Sequence, residues 1–476
     1  RDYYASRGLG DVYKRQDVKE LEAFRRQALG LPDEAPVAGE YDLVVVGAGI
    51  AGMSAAVSAA RLGCRVALIN DRPVVGGNNS SEIRVHLGGR IEEGTYKELG
   101  GLQKEFGPEK GGNAQPAEYY EDQKKMDWLA GEKNVSLFLN YRAIGVTKEG
   151  DKITSVVVKH IESGKELKFK APLFSDCTGD GTIGYLAGAD YRMGREGRDE
   201  YGESIAPEKA DKLTMGSSVQ WYSVDNKKSS PFPEFSYGVE FNDKNCEKVM
   251  MGEWTWETGM NFDQIKDFER IRDYGMLVVY SNWSYLKNRM KENDQYKNRK
   301  LGWVAYVAGK RESRRLMGDY ILKEDDITKN VSHEDASFAT TWSIDLHWQD
   351  PKNSEHFPGN EFKAVTKHIL IHPYAVPYRC LYSRNVENLF MAGRNISVTH
   401  VALGTVRVMR TTGMMGEVVG MAASLCKKYD VTPRGVYRSH LEDLKTLMKE
   451  GVNKKGLPNN QRYNEGGILK DKPVVQ

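Results

Sequence analysis

Three glycines near the start of the chain have the spacing of a phosphate-binding turn. Gly47, Gly49 and Gly52 follow an apolar run at residues 43–46 and open an Ala-rich segment. Gly47 permits a tight turn, Gly49 lets the backbone approach a pyrophosphate, and Gly52 allows close packing of helix on strand. The helix start also offers free N–H groups and a positive dipole end. A second apolar run follows at residues 65–69. Together these segments predict a βαβ unit that binds a dinucleotide. A tight turn between strand and helix that binds no ligand is the alternative.

The residues after the second apolar run bear on which dinucleotide binds. An acidic residue about twenty positions after the glycines usually binds the ribose hydroxyls. Asn70 stands at that position, with Asp71 and Arg72 beside it, so the ribose ligand stays open between Asn70 and Asp71. Residues 73–89, PVVGGNNSSEIRVHLGG, resemble the flavin-binding extension of proteins of the glutathione-reductase and fumarate-reductase type. That resemblance implies FAD rather than NAD.

Two later turns resemble further parts of the same flavin site. The run at residues 172–176 leads into Thr178-Gly179-Asp180-Gly181, similar to the turn by which such flavoproteins close over FAD. A second G-x-G-x-x-G begins at Gly179, but a short helix and no clear second strand follow, so we predict no NADPH domain. Residues 388–391 then enter a Gly393-Arg394 turn and a Gly/Ala-rich helix, which resemble the family's closing FAD motif.

Together with GKRESRRLMGDYIL at residues 309–322, these blocks resemble the broad family of FAD-dependent oxidoreductases over about residues 41–425. The resemblance implies non-covalently bound FAD, no metal, and a nucleotide domain whose beginning and end clasp one cofactor. The predicted cofactor-binding residues are Gly47, Ala48, Gly49, Ile50, Ala51, Gly52, Asn70, Asp71, Arg72, Gly76, Gly77, Asn78, Ser81, Arg84, Thr178, Gly179, Asp180, Gly181, Gly393, Arg394, Gly404, Arg407, Thr411 and Thr412. Covalent attachment through His86, which precedes a Gly-Gly pair, is the alternative.

Two histidines are candidates for the proton transfer that accompanies hydride transfer at a flavin. His400 lies between the Gly-Arg turn and the last helix and is expected to face the flavin ring, with a structural role as the alternative. Asp345 and His347 alternate along an apparent strand and so share a face. They match the family's I-D-x-H segment, which implies a substrate-side role; a surface ion pair is the alternative. Arg311, on a predicted helix, is expected to clamp an anionic or polyhydroxylated substrate or to lie on a solvated face.

The elements that position these residues indicate an α/β protein. We predict a discontinuous Rossmann-like FAD-binding domain with an inserted antiparallel meander, and an inserted α+β substrate or cap domain. The predicted units are an N-terminal helix and linker (17–40), the first part of the FAD domain (41–195), the cap (196–380), the closing part of the FAD domain (381–427), and a C-terminal helix and polar tail (428–476). The meander is assigned to strands at 135–139, 143–148, 153–160 and 166–171, and the cap to a strand at 276–280 and a helix at 305–322.

Composition excludes several other classes of protein. The chain of 476 residues has 40% hydrophobic and 28% charged residues, as in ordinary globular proteins, and no apolar run as long as a membrane span. A net charge of +2 argues against nucleic acid as a partner. Five scattered cysteines without C-x-x-C argue against a zinc site, an iron–sulfur cluster or a dithiol centre.

The first residues are expected not to be native. DVYKRQ at residues 11–16 back-translates to a transposon end used in sequencing libraries, so residues 1–16 are interpreted as a read-through artefact. On that interpretation the native N-terminus and any signal peptide are missing, and a cytoplasmic location is the default expectation. The polar residues 451–476 are interpreted as a tail or a linker to a lost domain.

The predicted activity is hydride transfer between flavin N5 and a small polar substrate, with a separate electron acceptor or donor. Sugar, polyol and organic acid all stay open as substrates, and the sequence does not indicate an oligomeric state. A flavin-holding interaction module without turnover and a flavin monooxygenase are the alternatives.

Overall fold

The structure is a computed structural model and describes residues 18–252 and 256–459. The predicted artefact at residues 1–16 and the end of the predicted tail, from residue 460, lie outside the described residues.

Helices and strands are interspersed over most of the described chain, and four helices follow its last strand. The helices are α1 (Val18–Ala28), α2 (Ile50–Arg61), α3 (Gly101–Phe106), α4 (Asp122–Ala130), α5 (Thr182–Ala187), α6 (Arg198–Tyr201), α7 (Phe268–Asn288), α8 (Asp294–Lys297), α9 (Glu324–Thr328), α10 (Pro351–His356), α11 (His400–Val406), α12 (Met409–Tyr429), α13 (Pro433–Ser439) and α14 (Leu441–Glu450). The strands are β1 (Val37–Glu40), β2 (Leu43–Val46), β3 (Val66–Ile69), β4 (Val135–Phe138), β5 (Tyr141–Glu149), β6 (Lys152–His160), β7 (Glu166–Lys170), β8 (Leu173–Asp176), β9 (Tyr191–Arg192), β10 (Ser217–Ser218), β11 (Trp221–Asp225), β12 (Met251–Gly252), β13 (Arg299–Val304), β14 (Gly309–Lys310), β15 (Arg315–Leu316), β16 (Ala336–Thr340), β17 (Ile344–Gln349), β18 (Ala364–Ile369), β19 (Tyr374–Pro377) and β20 (Leu389–Met391).

Five parallel strands form the central sheet in the order β20-β8-β2-β3-β4. Every residue of β2 (LVVV) and of β3 (VALI) is buried. A strand covered on both faces is apolar throughout, which explains the continuous apolar runs in the sequence. Strands β2 and β3 and helix α2 form the predicted βαβ unit, and the parallel sheet with its helices confirms the Rossmann-like α/β class.

The late part of the chain completes the core that the early part begins. Strand β20 pairs with β8, and helix α12 packs on α2. A Cβ on Gly416 would lie 2.1 Å from the carbonyl oxygen of Ala51, and a Cβ on Gly420 would lie 2.5 Å from the Cβ of Ser58. The two glycines therefore let α12 cross α2 at a distance that larger residues would prevent.

A second sheet lies beside the first and differs from the prediction in two places. Strands β5, β6 and β7 form the predicted antiparallel meander, and β1 joins it parallel to β7. The segment predicted as a linker therefore contains a strand. Strand β4, which we assigned to the meander, is instead the parallel edge of the central sheet, because residues 135–138 pair with β3. Alternation along four residues predicts a strand but does not identify its partner.

A second hydrophobic core lies in the insertion around Trp221, Trp256 and Trp283. Its longest element is α7, so the predicted strand at residues 276–280 is wrong. The buried residues of α7 include Ile271, Gly275, Val278, Val279, Asn282, Trp283 and Leu286. These positions recur at helical spacing, and the apolar run that suggested a strand is one part of that face.

The predicted helix at residues 305–322 is also wrong. This segment is extended, with β14 pairing to β10 and β15 to β9. Arg311, Glu312 and Arg315 are buried there, so neither a helix nor a solvated charged face is present. A Cβ on Gly318 would lie 2.4 Å from the carbonyl oxygen of Arg379, which shows how closely the segment passes another part of the backbone. Helix-forming side chains did not decide the structure here because tertiary ion pairs stabilise the extended form.

None of the helices in residues 18–252 and 256–459 combines the length and the apolar composition that a membrane crossing requires. Within the same residues, no group of histidines, cysteines and carboxylates is arranged to hold a metal ion.

Candidate active site

The glycine turn at the end of β2 forms a cradle without side chains. Gly47 has φ of +102°, and a Cβ there would lie 2.2 Å from the carbonyl oxygen of Cys177. A Cβ on Gly52 would lie 1.7 Å from the carbonyl oxygen of Gly47, so this glycine permits the close packing of α2. At Gly49, the N-cap of α2, a Cβ would meet only the Cα of Gly77, at 3.8 Å. The backbone at Gly49 is therefore open to a ligand at the start of the helix.

Asn70 and Asp71 have different roles at the end of β3. The side-chain oxygen of Asn70 accepts a hydrogen bond from the Ala48 amide at 3.1 Å. Its side-chain nitrogen donates to the carbonyl oxygens of Arg72 (3.2 Å) and Val74 (2.8 Å). Asn70 thus fastens the glycine turn to the following loop, whereas Asp71 lines the cleft in front of that turn. The geometry favours Asp71 as the ribose ligand.

A buried lysine holds the second glycine loop, Gly76-Gly77, against the first. Gly76 forms a bridge with Gly49, and both loop glycines have positive φ. The Lys125 ammonium is fully buried and donates to the carbonyl oxygens of Asn79, at 2.6 Å, and Tyr120. Burial lowers the pKa of Lys125 to about 8. The loop geometry therefore depends on a cation that is not itself part of the cleft.

Asp180 joins the turn after β8 to two distant segments. Its carboxylate accepts hydrogen bonds from Lys310 Nζ at 2.5 Å and from Arg394 at 2.8 Å. The Ser313 hydroxyl donates to the same carboxylate at 2.9 Å. Although burial opposes it, the charges of Lys310 and Arg394 hold the pKa of Asp180 well below its usual range. The carboxylate is thus a fixed anion that positions two cations beside the glycine turn.

The three loops line a cleft of about 400 Å³ at the carboxyl edge of the central sheet. The first residues of α12 reach it through Met409 and Thr412, so the positive end of that helix dipole also faces the cleft. Phe268, Arg272 and Tyr306 of the insertion complete the rim. The early chain, the late chain and the insertion therefore all contribute to one site.

A separate chamber of about 330 Å³ adjoins the cleft. Both are lined by the same five residues, Asn78, Lys310, Arg394, Arg407 and Met409. The other polar residues that line the chamber are His86, Ser218, Gln220, Arg311, Asp345, His347, Thr366 and His368. A small molecule in the chamber and a group bound in the cleft would therefore contact the same five residues.

His347 is held between two carboxylates on the wall of this chamber. Its Nδ1 lies 2.7 Å from Glu257 Oε2, and its Nε2 lies 3.1 Å from Asp345 Oδ1. Although burial alone raises it, Arg311 and His347 bring the pKa of Glu257 down to about 2. The Glu257 carboxylate therefore accepts the Nδ1 hydrogen and fixes the orientation of the imidazole ring. Nε2 lies against Asp345, and both residues line the chamber.

Two arginines complete this arrangement of charges. Arg407 donates to Asp345 Oδ2 at 2.9 Å, and its Nη2 lies 3.3 Å from Nε2 of His347. Arg311 donates to the Ser218 hydroxyl at 2.9 Å and lies 3.4 Å from Glu257. Despite the desolvation that opposes it, the Arg407 charge keeps the pKa of Asp345 well below its usual range. Each arginine is therefore paired with a buried carboxylate.

Comparison with known protein families identifies the chain. A family model described as FAD dependent oxidoreductase matches residues 42–448, which is most of the sequence. The chain belongs to the family of FAD-dependent oxidoreductases. Its cofactor is FAD, and it is a flavoprotein with a Rossmann-like nucleotide domain.

Three solved structures to which the chain is similar have low sequence identity with it. A geranylgeranyl bacteriochlorophyll reductase-like protein from Thermoplasma acidophilum is 13% identical, with a TM-score of 0.36, over 86% of this chain and 83% of its own. A myxobacterial chondrochloren halogenase is 12% identical, with a TM-score of 0.34, over 86% of this chain and 79% of its own. An aromatic hydroxylase from angucycline biosynthesis is 13% identical, with a TM-score of 0.36, over 87% of this chain and 67% of its own. No curated protein matches the sequence.

The residues present fit FAD in the cleft. The turn at Gly47 and Gly49 offers bare backbone at a helix start, and Asp71 stands where a ribose would bind. Of the predicted cofactor-binding residues, the cleft is lined by Gly47, Ala48, Gly49, Ile50, Ala51, Asn70, Asp71, Arg72, Gly76, Gly77, Asn78, Thr178, Gly179, Asp180, Gly393, Arg394, Arg407 and Thr412. Those that do not line it are Gly52, Ser81, Arg84, Gly181, Gly404 and Thr411.

Several residues in the second group have other contacts. The Arg84 guanidinium lies 3.7 Å from the ring centre of Trp303 and donates to the carbonyl oxygen of Ser81. A Cβ on Gly404 would lie 2.8 Å from the backbone nitrogen of Asp345, so this glycine lets α11 pack on β17. Thr411 is fully buried. These residues support the walls of the site and do not face the cofactor.

His400 also lies outside both the cleft and the chamber. Its Nδ1 is 2.9 Å from Glu312 Oε2, and its backbone amide donates to Glu196 at 2.8 Å. Glu312 is paired in turn with buried Arg315. The expectation that His400 faces the flavin ring therefore needs correction: α11 begins there, and its first residue points into a buried charge cluster. His347, in contrast, lines the chamber.

His86 lies on the chamber wall rather than in the glycine loops. Its Nδ1 is 2.8 Å from the side-chain oxygen of Asn113, and burial lowers the pKa of its imidazole. Non-covalent binding of FAD stays a prediction.

Sequence reasoning missed Glu257, Lys310 and His368 in this site. Glu257 follows a tryptophan in a stretch without any motif, and only its burial beside His347 gives it a role. His368 enters the chamber because β18 pairs with β17 and places it opposite Asp345. The sequence of β18 does not show which strand it pairs with, so the position of His368 becomes clear only in the fold. Lys310 stands in the segment that we expected to be helical.

Proposed function

We propose that this oxidoreductase transfers hydride between FAD and a small polar substrate bound in the chamber. The observation that carries the proposal is the shared wall of the cleft and the chamber, with a histidine–carboxylate pair on the chamber side. A sugar, a polyol and an organic acid are all of a size and polarity that suit a chamber of about 330 Å³.

FAD, when bound, supplies two-electron chemistry by exchanging a hydride at N5 of its isoalloxazine ring. In the proposal, the backbone at Gly47 and Gly49 binds the pyrophosphate, and Asp71 binds a ribose. Lys310 and Arg394, fixed by Asp180, stand between the cleft and the chamber and add positive charge where the flavin ring would lie.

His347 and Asp345 act as the proton-transfer unit of the proposal. When the substrate loses a hydride from carbon, the proton on its neighbouring oxygen or carbon moves to this pair; in the reverse direction the pair returns it. Glu257 supports the transfer because it fixes the proton on Nδ1 and leaves Nε2 directed toward the chamber. Arg407, at 2.9 Å from Asp345, keeps that carboxylate ionised, so that Asp345 orients the His347 imidazole and balances its charge when the imidazole holds the proton.

Anaerobic flavin reduction tests the proposed function. Purified protein with bound FAD is mixed without oxygen with sugars, polyols and organic acids, and the flavin absorbance is followed. We expect at least one compound to bleach the flavin, and reoxidation by an added acceptor dye to restore it. If no compound bleaches the flavin, and the dithionite-reduced flavin is not reoxidised by ketones, aldehydes or unsaturated acids, the chain is a flavin-holding module and the proposal fails.

A further inference from the structure

The chamber wall contains a buried glutamine whose side chain has no hydrogen-bond partner in the described part of the chain. Gln220 is fully buried, and neither its Nε2 nor its Oε1 has a hydrogen-bond partner among the described residues. The residue lines the chamber beside Ser218. Their neighbours Val219 and Trp221 belong to the second hydrophobic core, so successive residues alternate between core and chamber. Such an orphaned amide is unusual, since buried polar groups in folded proteins are nearly always hydrogen-bonded.

The charged side chains of the chamber wall make ion pairs or hydrogen bonds within the protein. Arg407 is bonded to Asp345, and Arg311 to Ser218 and Glu257. Lys310 and Arg394 share Asp180. The positive charges on the wall are therefore largely balanced by carboxylates. The neutral carboxamide of Gln220 differs from them, because both of its polar atoms are buried without a hydrogen-bond partner among the described residues.

The chemistry of a carboxamide restricts what can satisfy it. Its oxygen needs a donor, and its NH₂ group needs an acceptor. A carboxylate only accepts, so a carboxylic acid bound there would leave the oxygen of Gln220 unpaired. A hydroxyl both donates and accepts, and two neighbouring hydroxyls satisfy both ends of the amide at once.

We propose that Gln220 is a specificity-determining residue that binds the hydroxyl groups of a neutral polyhydroxylated substrate, a sugar or a polyol. The inference rests on the proposed function and narrows its substrate class. Asp345, which also lines the chamber, fits the same class, because its carboxylate accepts from a substrate hydroxyl and would repel an acid.

A stability measurement on the free protein tests the unpaired amide without any substrate. Gln220→Leu keeps the approximate size of the side chain and removes the amide. Because an unsatisfied buried polar group destabilises the fold, we expect the variant to unfold at a higher temperature than the parent, or at the same one. Gln264→Leu is the matched control, since Gln264 is equally buried but donates to Gly259 and accepts from Ser217. That control should lower the unfolding temperature.

Flavin reduction supplies the second measurement. We expect neutral sugars or polyols to reduce the flavin of the parent, and Gln220→Leu to lower kcat/KM for them by about 10- to 100-fold with unchanged FAD content. If only carboxylic acids reduce the flavin, the role of Gln220 is overturned while the proposed function stands. If no compound exchanges electrons with the flavin, both fall. A Gln220→Leu protein that unfolds at a lower temperature than the parent also overturns the inference, because the amide is then paired in the free protein.

Discussion

At the scale of single residues, the site depends on the absence of a side chain at its glycines. Gly49 differs from its neighbours because its φ is an ordinary −69° and almost nothing in the protein would touch a Cβ there. The need for glycine at this position therefore comes from the cofactor and not from the fold.

Gly49→Val should consequently give a folded protein without FAD. The added side chain would occupy the space of the pyrophosphate, while the fold itself has room for it. Flavin absorbance per protein and the unfolding temperature measure the two effects separately. Gly145→Ala is the control: its Cβ would lie 3.7 Å from Val157, in ordinary contact, so FAD should stay bound. A yellow Gly49→Val protein with a normal FAD content would contradict the assignment.

The glycine turn could be predicted from sequence because its chemistry is local. The strand end, the turn and the helix start follow one another within a few residues. Each glycine of the turn is required for one physical reason. His400 shows the opposite case. It was chosen because it is close in sequence to the closing turn, yet the direction of its side chain is set by Glu312, which lies far away in the chain. A residue whose role depends on distant partners is not visible until the fold is known.

At the scale of elements, α12 joins the cofactor cleft to the rest of the core. Its Glu417 is fully buried, and the carboxyl oxygen accepts hydrogen bonds from the amides of Gly100 (3.1 Å) and Leu102 (3.3 Å) at the start of α3. Burial raises the pKa of Glu417 to about 8. The group is therefore protonated in the folded protein at neutral pH.

This titration gives the stability a pH dependence of predictable sign. In the unfolded chain a glutamate has a pKa of about 4.3, so folding takes up a proton at pH values between that and the folded pKa. The contribution is complete below the unfolded pKa and is lost as the pH rises through about 8. Glu417→Gln should keep the accepting oxygen and remove this slope. The free energy of unfolding, measured with urea from about pH 5 to pH 9, gives this slope. Equal slopes in parent and variant would show that Glu417 is already ionised in the folded protein.

The elements that sequence predicted incorrectly share one cause. Residues 276–280 form an apolar run that fits a strand or a buried helix face equally well, and only the longer periodicity of α7 distinguishes the two. Residues 305–322 contain good helix formers, but four of them are charged residues that pair inside the protein. In both cases the structure is decided by residues outside the short segment on which the prediction was based.

At the scale of the whole molecule, the cofactor site is assembled from segments far apart in sequence. The glycine turn, the Asp180 turn, the start of α12 and the insertion all meet at the cleft. Because FAD would contact segments from distant parts of the chain, its binding should stabilise the folded protein. Removal of FAD should therefore lower the unfolding temperature.

FAD should be released intact when the protein is denatured. Acid precipitation of the purified protein is expected to leave the flavin in the supernatant, since His86 is hydrogen-bonded to Asn113 on the chamber wall. Flavin that stays with the pellet, and that His86→Ala releases, would instead establish a covalent bond at His86.

The rate of anaerobic flavin reduction in two matched histidine variants tests whether His347 is the proton acceptor of the reaction. His347 and His400 are both buried, and each lies against a glutamate, at 2.7 and 2.9 Å. Alanine at either position should therefore cost similar stability. With a substrate that reduces the parent, His347→Ala should retain FAD and lose about two to four orders of magnitude in reduction rate, because the proton acceptor is gone. His400→Ala should reduce at nearly the parent rate. A slow His400→Ala protein beside a normal His347→Ala protein would place the chemistry outside the chamber and contradict the account.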